Sequence, residues 1–149
     1  MDLISKSAKE TKSFAKKFAK KALKLPGPTV FSLEGELGAG KTTFTQGFAD
    51  GLGIKEKIQS PTFVILKIYR VKGQGARVQL IHVDAYRLQA KDFKVLGWKD
   101  FTNPPTGGPN NIILVEWGNK IKNILPKNTI RIIFKHGKKQ NERRVKVNL

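Results

Sequence analysis

"GELGAGKT", Gly35–Thr42, decides how the rest of the chain is read. It fits G-x-x-x-x-G-K-[ST], the spacing of a loop that cradles phosphate. "TVFSLEG" (Thr29–Gly35) before it reads as a strand, and a helix is expected from Lys41 to about Leu52, closed by "GLG". This strand–loop–helix setting separates the motif from an ordinary glycine-rich turn. Gly38 and Gly40 let the backbone curl so that several N–H groups converge on one phosphate. The helix beyond adds its positive N-terminal end. Lys41 brings a point charge to the β- and γ-phosphates, and Thr42 offers a hydroxyl to Mg²⁺.

Outward from the loop, two acids end apolar runs: Asp84 closes "LIHVD" and Glu116 closes "IILVE". A carboxylate at the end of a buried strand needs a reason. In a doubly wound sheet, ligands bind beyond the carboxyl ends of the strands. If both strands run parallel to "TVFSLEG", both acids arrive beside the loop and form a candidate metal site. The alternatives are a helix cap or surface ion pair for Asp84 and an ion pair for Glu116. "SPTF", Ser60–Phe63, has two readings of equal weight: a turn led by Pro61, or hydroxyls of Ser60 and Thr62 that sense a γ-phosphate. His82 and His136 have no partner at metal-ligand spacing and read as structural or solvated.

The remaining chain supplies an α/β pattern. Residues 7–24 read as a helix with Ser7 and Glu10 as a capping box. "SPTFVILKIYRV" and "RVQLIHVDAYRL" flank "KGQGA" as a β-hairpin. A polar helix is expected over Gln89–Leu96, a loop at "NPPTGGPN", and a short helix at "GNKIKNIL". Strands "TIRIIFK" and "RRVKVNL" flank the turn "HGKKQNE".

The chain has 149 residues, enough for one domain with a real core. Twenty-nine Lys and Arg against 11 Asp and Glu give a net charge of +18. That excess favours polyanions, or else reflects solvated lysine faces. The absence of Cys excludes disulfides and Cys-based metal sites. No apolar run is long enough for a membrane span, and no signal-peptide core is visible, so a cytoplasmic protein is expected.

The nucleotide class is narrowed by what is missing. GTPases carry D-x-x-G, whereas Ala85, Tyr86 and Arg87 follow Asp84; they read guanine with N-K-x-D, whereas "NKIK" lacks the acid. ATP is therefore the expected nucleotide. A small-molecule kinase remains an alternative, although an arginine-rich lid is not evident. So does a basic RNA-binding module with a secondary nucleotide site.

Taken in order, the motifs resemble the TsaE (YjeE) family, small ATPases of bacterial tRNA threonylcarbamoyladenosine synthesis. The likeness covers nearly the whole chain. It rests on "SAKET" (Ser7–Thr11), the loop and its helix, "SPTF", "HVDAYRL" against H-x-D-x-Y-R-L, "VLGWKDF", and "LVEWGNKI" against the family's Glu-Trp-Pro segment. The resemblance implies a single P-loop domain, residues 1–149, with a mostly parallel central sheet flanked by antiparallel strands in a three-layer fold. It implies ATP or ADP at Gly35, Gly38, Ala39, Gly40, Lys41, Thr42 and Thr43, with Thr11 near the adenine. Mg²⁺ would be held by Thr42 and Glu116. Hydrolysis would need Asp84, Lys41 and Thr62. TsaD and TsaB relatives are the implied partners, with tRNA reached through their complex. Gly118 stands where the family usually has proline.

Overall fold

The computed structural model describes residues 1–59, 66–73 and 78–149. Its elements are β1 (Asp2–Ser5), α1 (Ala8–Ala22), β2 (Thr29–Glu34), α2 (Lys41–Gly51), β3 (Leu66–Arg70), β4 (Val78–Asp84), α3 (Ala90–Val95), α4 (Trp98–Thr102), β5 (Asn110–Glu116), β6 (Ile130–His136) and β7 (Arg143–Asn148). A run of 3₁₀ turns, Gly118–Ile124, joins β5 to β6.

The strands form one seven-stranded sheet in the order β1-β7-β6-β2-β5-β4-β3. Strands β6, β2, β5 and β4 are mutually parallel. Antiparallel pairings flank them: β3 on β4 at one edge, and at the other β7 on β6 followed by β1 on β7. The expected architecture is thus the observed one, and the condition set for the two acids is met, since β4 and β5 both run with β2.

The sheet separates two cores. On one face α1 and α2 pack over Phe31, Leu33, Leu80, Leu114, Ile132 and Phe134. On the other, Phe93, Trp98 and Ile121 pack over Val30, Ile81, Val83, Ile113 and Val115. Strand β5 faces a core on both sides, which is why "NIILV" is continuously apolar rather than alternating.

Helix α1 is capped as expected: Ser7 Oγ accepts from the Glu10 N–H at 3.1 Å, and Glu10 Oε2 accepts from the Lys6 N–H at 2.7 Å. It lies unusually close to α2. A Cβ at Gly47 would fall 2.5 Å from Lys12 Cα, and one at Gly51 would fall 2.8 Å from Lys16 Cα. Ala15 and Ala19 face the same seam and are fully buried. Small residues on both helices let the backbones approach, which ties α1 to the helix that starts at the phosphate loop.

Two elements go beyond the sequence reading. β1 pairs with β7, almost the whole chain away. α4 begins within "VLGWKDF", where Gly97 takes φ 72° ahead of Trp98.

Candidate functional site

The loop lies between the end of β2 at Glu34 and the start of α2 at Lys41. Gly38 has φ 74° and Gly40, the residue before α2, has φ 108°. Side chains with a Cβ rarely adopt such values. No side chain caps α2, so its first N–H groups face the loop unshielded.

Lys41 is buried in this loop. Its Nζ donates to Gly35 O at 2.6 Å and to Glu36 O at 3.0 Å. It also sits 3.9 Å from the centroid of the Trp117 ring, a cation–π contact. Burial pushes the Lys41 ammonium below its ordinary pKa, while the charges of Glu116 and Asp84 work in the opposite direction. The ammonium is thus held at the loop by two carbonyls, an aromatic face and the field of two acids.

The acids reach the loop through the sheet register. Leu33 lies opposite Glu116, and Glu116 opposite Asp84, on three adjacent parallel strands. Thr42 Oγ1 donates to Glu116 Oε1 at 3.0 Å. The other carboxylate oxygen, Oε2, lies 3.1 Å from His82 Nε2, with both residues buried. Asp84 Oδ1 accepts from the Tyr86 N–H at 2.9 Å, which turns the chain sharply after β4.

This donor set discriminates between metals. Among the described residues, no cluster of three His, Cys, Asp or Glu could hold an ion by protein alone. A hydroxyl and a carboxylate in mutual contact instead suit a hard cation that keeps waters and takes phosphate oxygens, which is the habit of Mg²⁺.

On the side of the loop away from Glu116 there is a recess of about 100 Å³, lined by Thr11, Gly38, Gly40, Thr43, Asn141 and Arg143. Arg143 Nε donates to Gly38 O at 3.2 Å. The Thr11 hydroxyl shares a 2.8 Å hydrogen bond with Ser5 Oγ. A wider recess of about 470 Å³ opens between Glu34, Leu37, Trp117 and Lys122.

The segment after Glu116 is the other unusual feature. Trp117 has φ 61°, the only positive φ outside glycine among the described residues. Its N–H donates to Leu33 O at 2.9 Å, and the Ala85 N–H donates to Glu116 O at 2.9 Å. These two bonds continue the sheet past the strand ends and hold the indole over Lys41. Gly118 then lies against Ser32: a Cβ there would fall 2.8 Å from Ser32 Cβ and closer still to its Oγ. Ser32 Oγ donates to Glu34 Oε1 at 2.9 Å, and Arg131 closes on Glu34 with bonds of 2.9 and 2.7 Å. Burial would raise the Glu34 pKa, but the hydrogen bonds from Arg131 and Ser32 and the Arg131 charge outweigh it, so the group is held below its ordinary value.

Of the residues read from the sequence, Gly35, Gly38, Ala39, Gly40, Lys41, Thr42, Thr43, Thr11, Asp84 and Glu116 gather around this one loop. Thr62 and the rest of "SPTF" lie outside the described residues. His82 is the clearest omission, for it is buried against Glu116. The signal was present: His82 and Asp84 are two apart on a strand and share a face. Arg143 was also missed, because a contact from β7 to the loop has no local signature. His136 is exposed, with Nε2 3.3 Å from Leu37 O.

The model of the family described as threonylcarbamoyl adenosine biosynthesis protein TsaE matches residues 5–145. A Bacillus subtilis protein named tRNA threonylcarbamoyladenosine biosynthesis protein TsaE is 41% identical over 126 residues, covering 85% of this chain and 72% of its own. A Treponema pallidum protein of the same name is 36% identical over 133 residues, 89% of each chain. The crystal structure of YdiB from Bacillus subtilis superposes with a TM-score of 0.74 at 34% identity, covering 97% of this chain and 82% of that one. Sequence and fold agree over almost the full length, and the chain belongs to the TsaE family.

Proposed function

We propose that residues 1–149 act as a single ATPase domain that binds ATP with Mg²⁺ at Gly35–Thr43 and hydrolyses it. The work supports relatives of TsaD and TsaB as they install threonylcarbamoyladenosine on tRNA beside the anticodon, in the cytoplasm. The observation that carries this reading is the contact of Thr42 with Glu116, which joins the end of the phosphate loop to the end of β5. The family's role in making this nucleoside supplies the pathway.

Each residue has a distinct task in this reading. Lys41 exchanges its two carbonyl partners for phosphate oxygens. Thr42 and Glu116 would hold the ion, with His82 fixing the Glu116 carboxylate by occupying Oε2. Bound Mg²⁺ would neutralise charge that develops on the phosphates. Asp84, next to Glu116 at the strand ends, orients the attacking water. The hydroxyl of Thr62 contributes at the γ-phosphate. In this reading the nucleoside would lie toward the recess beside Thr11, Thr43 and Arg143, with Thr11 near the adenine.

Thermal unfolding with and without Mg²⁺ and nucleotide tests the site. ATP and ADP should raise the melting temperature, and Lys41→Ala should abolish the rise. Phosphate release should accelerate when TsaD and TsaB relatives are added. No stabilisation by any nucleotide would refute the proposal. Transfer of label from ATP to a metabolite, without partners, would favour a kinase instead.

A further inference from the structure

The sheet is wider than one of its helical layers. On the face covered by α3, α4 and the 3₁₀ turns, the packing residues of the sheet come from β2, β3, β4 and β5. Strands β6, β7 and β1 extend past that layer, and Ile4 on β1 is 55% exposed there. Alternation sends Ile132, Phe134, Val145 and Val147 into the opposite core. Lys135, Arg144 and Lys146 therefore project from the uncovered face, and all three are exposed.

The register makes this face unusual. Lys135 lies directly opposite Arg144, and Lys146 lies beside them, opposite Ile133. Like charges placed opposite one another destabilise a sheet. The ion pairs among the described residues use Lys16, His82 and Arg131, none of these three cations. The nearby acids are few. Asp2 is opposite Lys146 on β1. Glu34 is engaged by Arg131. Glu142 accepts from the Lys138 N–H in the turn. Lys138 and Lys139 are exposed at that turn and extend the positive strip.

Protection of a sheet edge does not explain the arrangement. Lysines commonly blunt edge strands, but the edges here are β1 and β3, while β6 and β7 are interior. The same β6–β7 hairpin touches the phosphate loop from its other face, through Arg143 on Gly38 O and His136 near Leu37 O. Adjacent residues Arg143 and Arg144 thus serve opposite faces of one strand.

We propose that the uncovered face of β6, β7 and β1 is a contact surface for the phosphate backbone of a folded RNA, set beside the nucleotide loop. Charge complementarity identifies the occupant. The centres of protein–protein interfaces are depleted of charge and rich in aromatic anchors. This face has cations at its centre and, among the described residues, only Ile4 and Ile133 as apolar neighbours in the register. Backbone recognition of RNA needs what is present: cations, with no groove-reading helix. The choice of tRNA as probe rests on the function proposed above; the basic face does not.

The test is binding of an unmodified tRNA transcript by the full chain across a salt series. With each phosphate contact contributing roughly 0.7–0.9 to the slope of log K against log salt, losing three should flatten it by about 2–3. The variant Lys135→Gln/Arg144→Gln/Lys146→Gln is expected to show that flattening and at least about a tenfold loss near 0.1 M salt. Arg144→Gln alone should flatten it by about 1, which covers the case in which the triple variant folds poorly. A matched variant on α1, Lys17→Gln/Lys20→Gln/Lys21→Gln, should keep most of the wild-type slope. Stabilisation by nucleotide should persist in all three, so failure of the RNA result and failure of the ATPase reading are separable. Equal losses from the two triple variants would overturn the proposal in favour of diffuse charge. So would unchanged RNA binding by the Lys135 variant, or a loss confined to binding an acidic partner protein.

Discussion

Replacing Gly118 with alanine isolates one contact. The backbone of Gly118 is not in the left-handed region, so an added methyl meets only a steric problem. Its Cβ would fall 2.8 Å from Ser32 Cβ and 3.2 Å from Ser32 Cα, atoms fixed in the middle of β2. Neither side can yield cheaply, because Ser32 is fully buried and bonded to Glu34. Overpacking of this kind costs roughly 1–3 kcal/mol. At about 2–4 °C per kcal/mol for a chain of this size, the melting temperature should fall by some 2–12 °C. Ser32→Gly removes the obstructing side chain. Alone it should cost about 1–2 kcal/mol, from the lost hydrogen bond and the looser strand. The double variant should then be less impaired than the sum of the two. A coupling of about 1 kcal/mol or more, measured by urea unfolding of all four proteins, is expected. Additivity within about 0.5 kcal/mol would refute the reasoning, as would a Gly118→Ala protein of wild-type stability. Proline adds the same Cβ, so Gly118→Pro should gain similarly from Ser32→Gly. On this argument, the departure from Glu-Trp-Pro is matched to Ser32 on the neighbouring strand.

The other predictions concern the acids and their partners. Glu116→Gln should raise the Mg²⁺ concentration needed for nucleotide-induced stabilisation, whereas Asp84→Asn should lower hydrolysis more than binding; equal effects of both on both readouts would show the roles are wrongly divided. His82→Ala should raise that same Mg²⁺ requirement several-fold, with His82→Asn recovering part of the loss; an unchanged Mg²⁺ titration would leave His82 as packing alone. Arg131→Ala should strand the buried Glu34 carboxylate at neutral pH and cost about 1–3 kcal/mol. Because the Glu34 pKa is depressed in the fold, its stabilisation is complete above the unfolded value near 4.5 and is lost as pH falls through the lower folded value. The stability gap between wild type and Arg131→Ala should therefore narrow in acid, and a gap independent of pH from 7 to 3 would contradict this account.

What the sequence revealed depended on how local the cause was. Gly38, Gly40, Lys41 and Thr42 act within one turn, so their spacing was sufficient. Asp84 and Glu116 were legible because a carboxylate at the end of an apolar strand breaks a pattern, and the parallel order then placed them together. His82 read as structural or solvated because its partner Glu116 is 34 positions away on a different strand. β1 was invisible for a stronger reason: four residues acquire their strand character only by pairing with β7. The close approach of α1 to α2 was likewise hidden: Gly51 read only as part of the "GLG" that closes the helix, and nothing local marks Gly47 and Gly51 as the places where Lys12 and Lys16 lie against α2. The basic face needed the register, because only pairing reveals that Lys135 and Arg144 stand opposite one another.

Lys41 is not an idle charge awaiting a ligand. Two loop carbonyls and the Trp117 ring already occupy it. A phosphate ligand would therefore have to displace an internal competitor, and its apparent affinity would be the intrinsic affinity scaled by the fraction of molecules with the ammonium released. A partner that drew the indole aside would tighten nucleotide binding without touching the nucleotide. Reciprocity follows: bound nucleotide, having displaced Lys41 from the ring, would by the same free energy favour that partner.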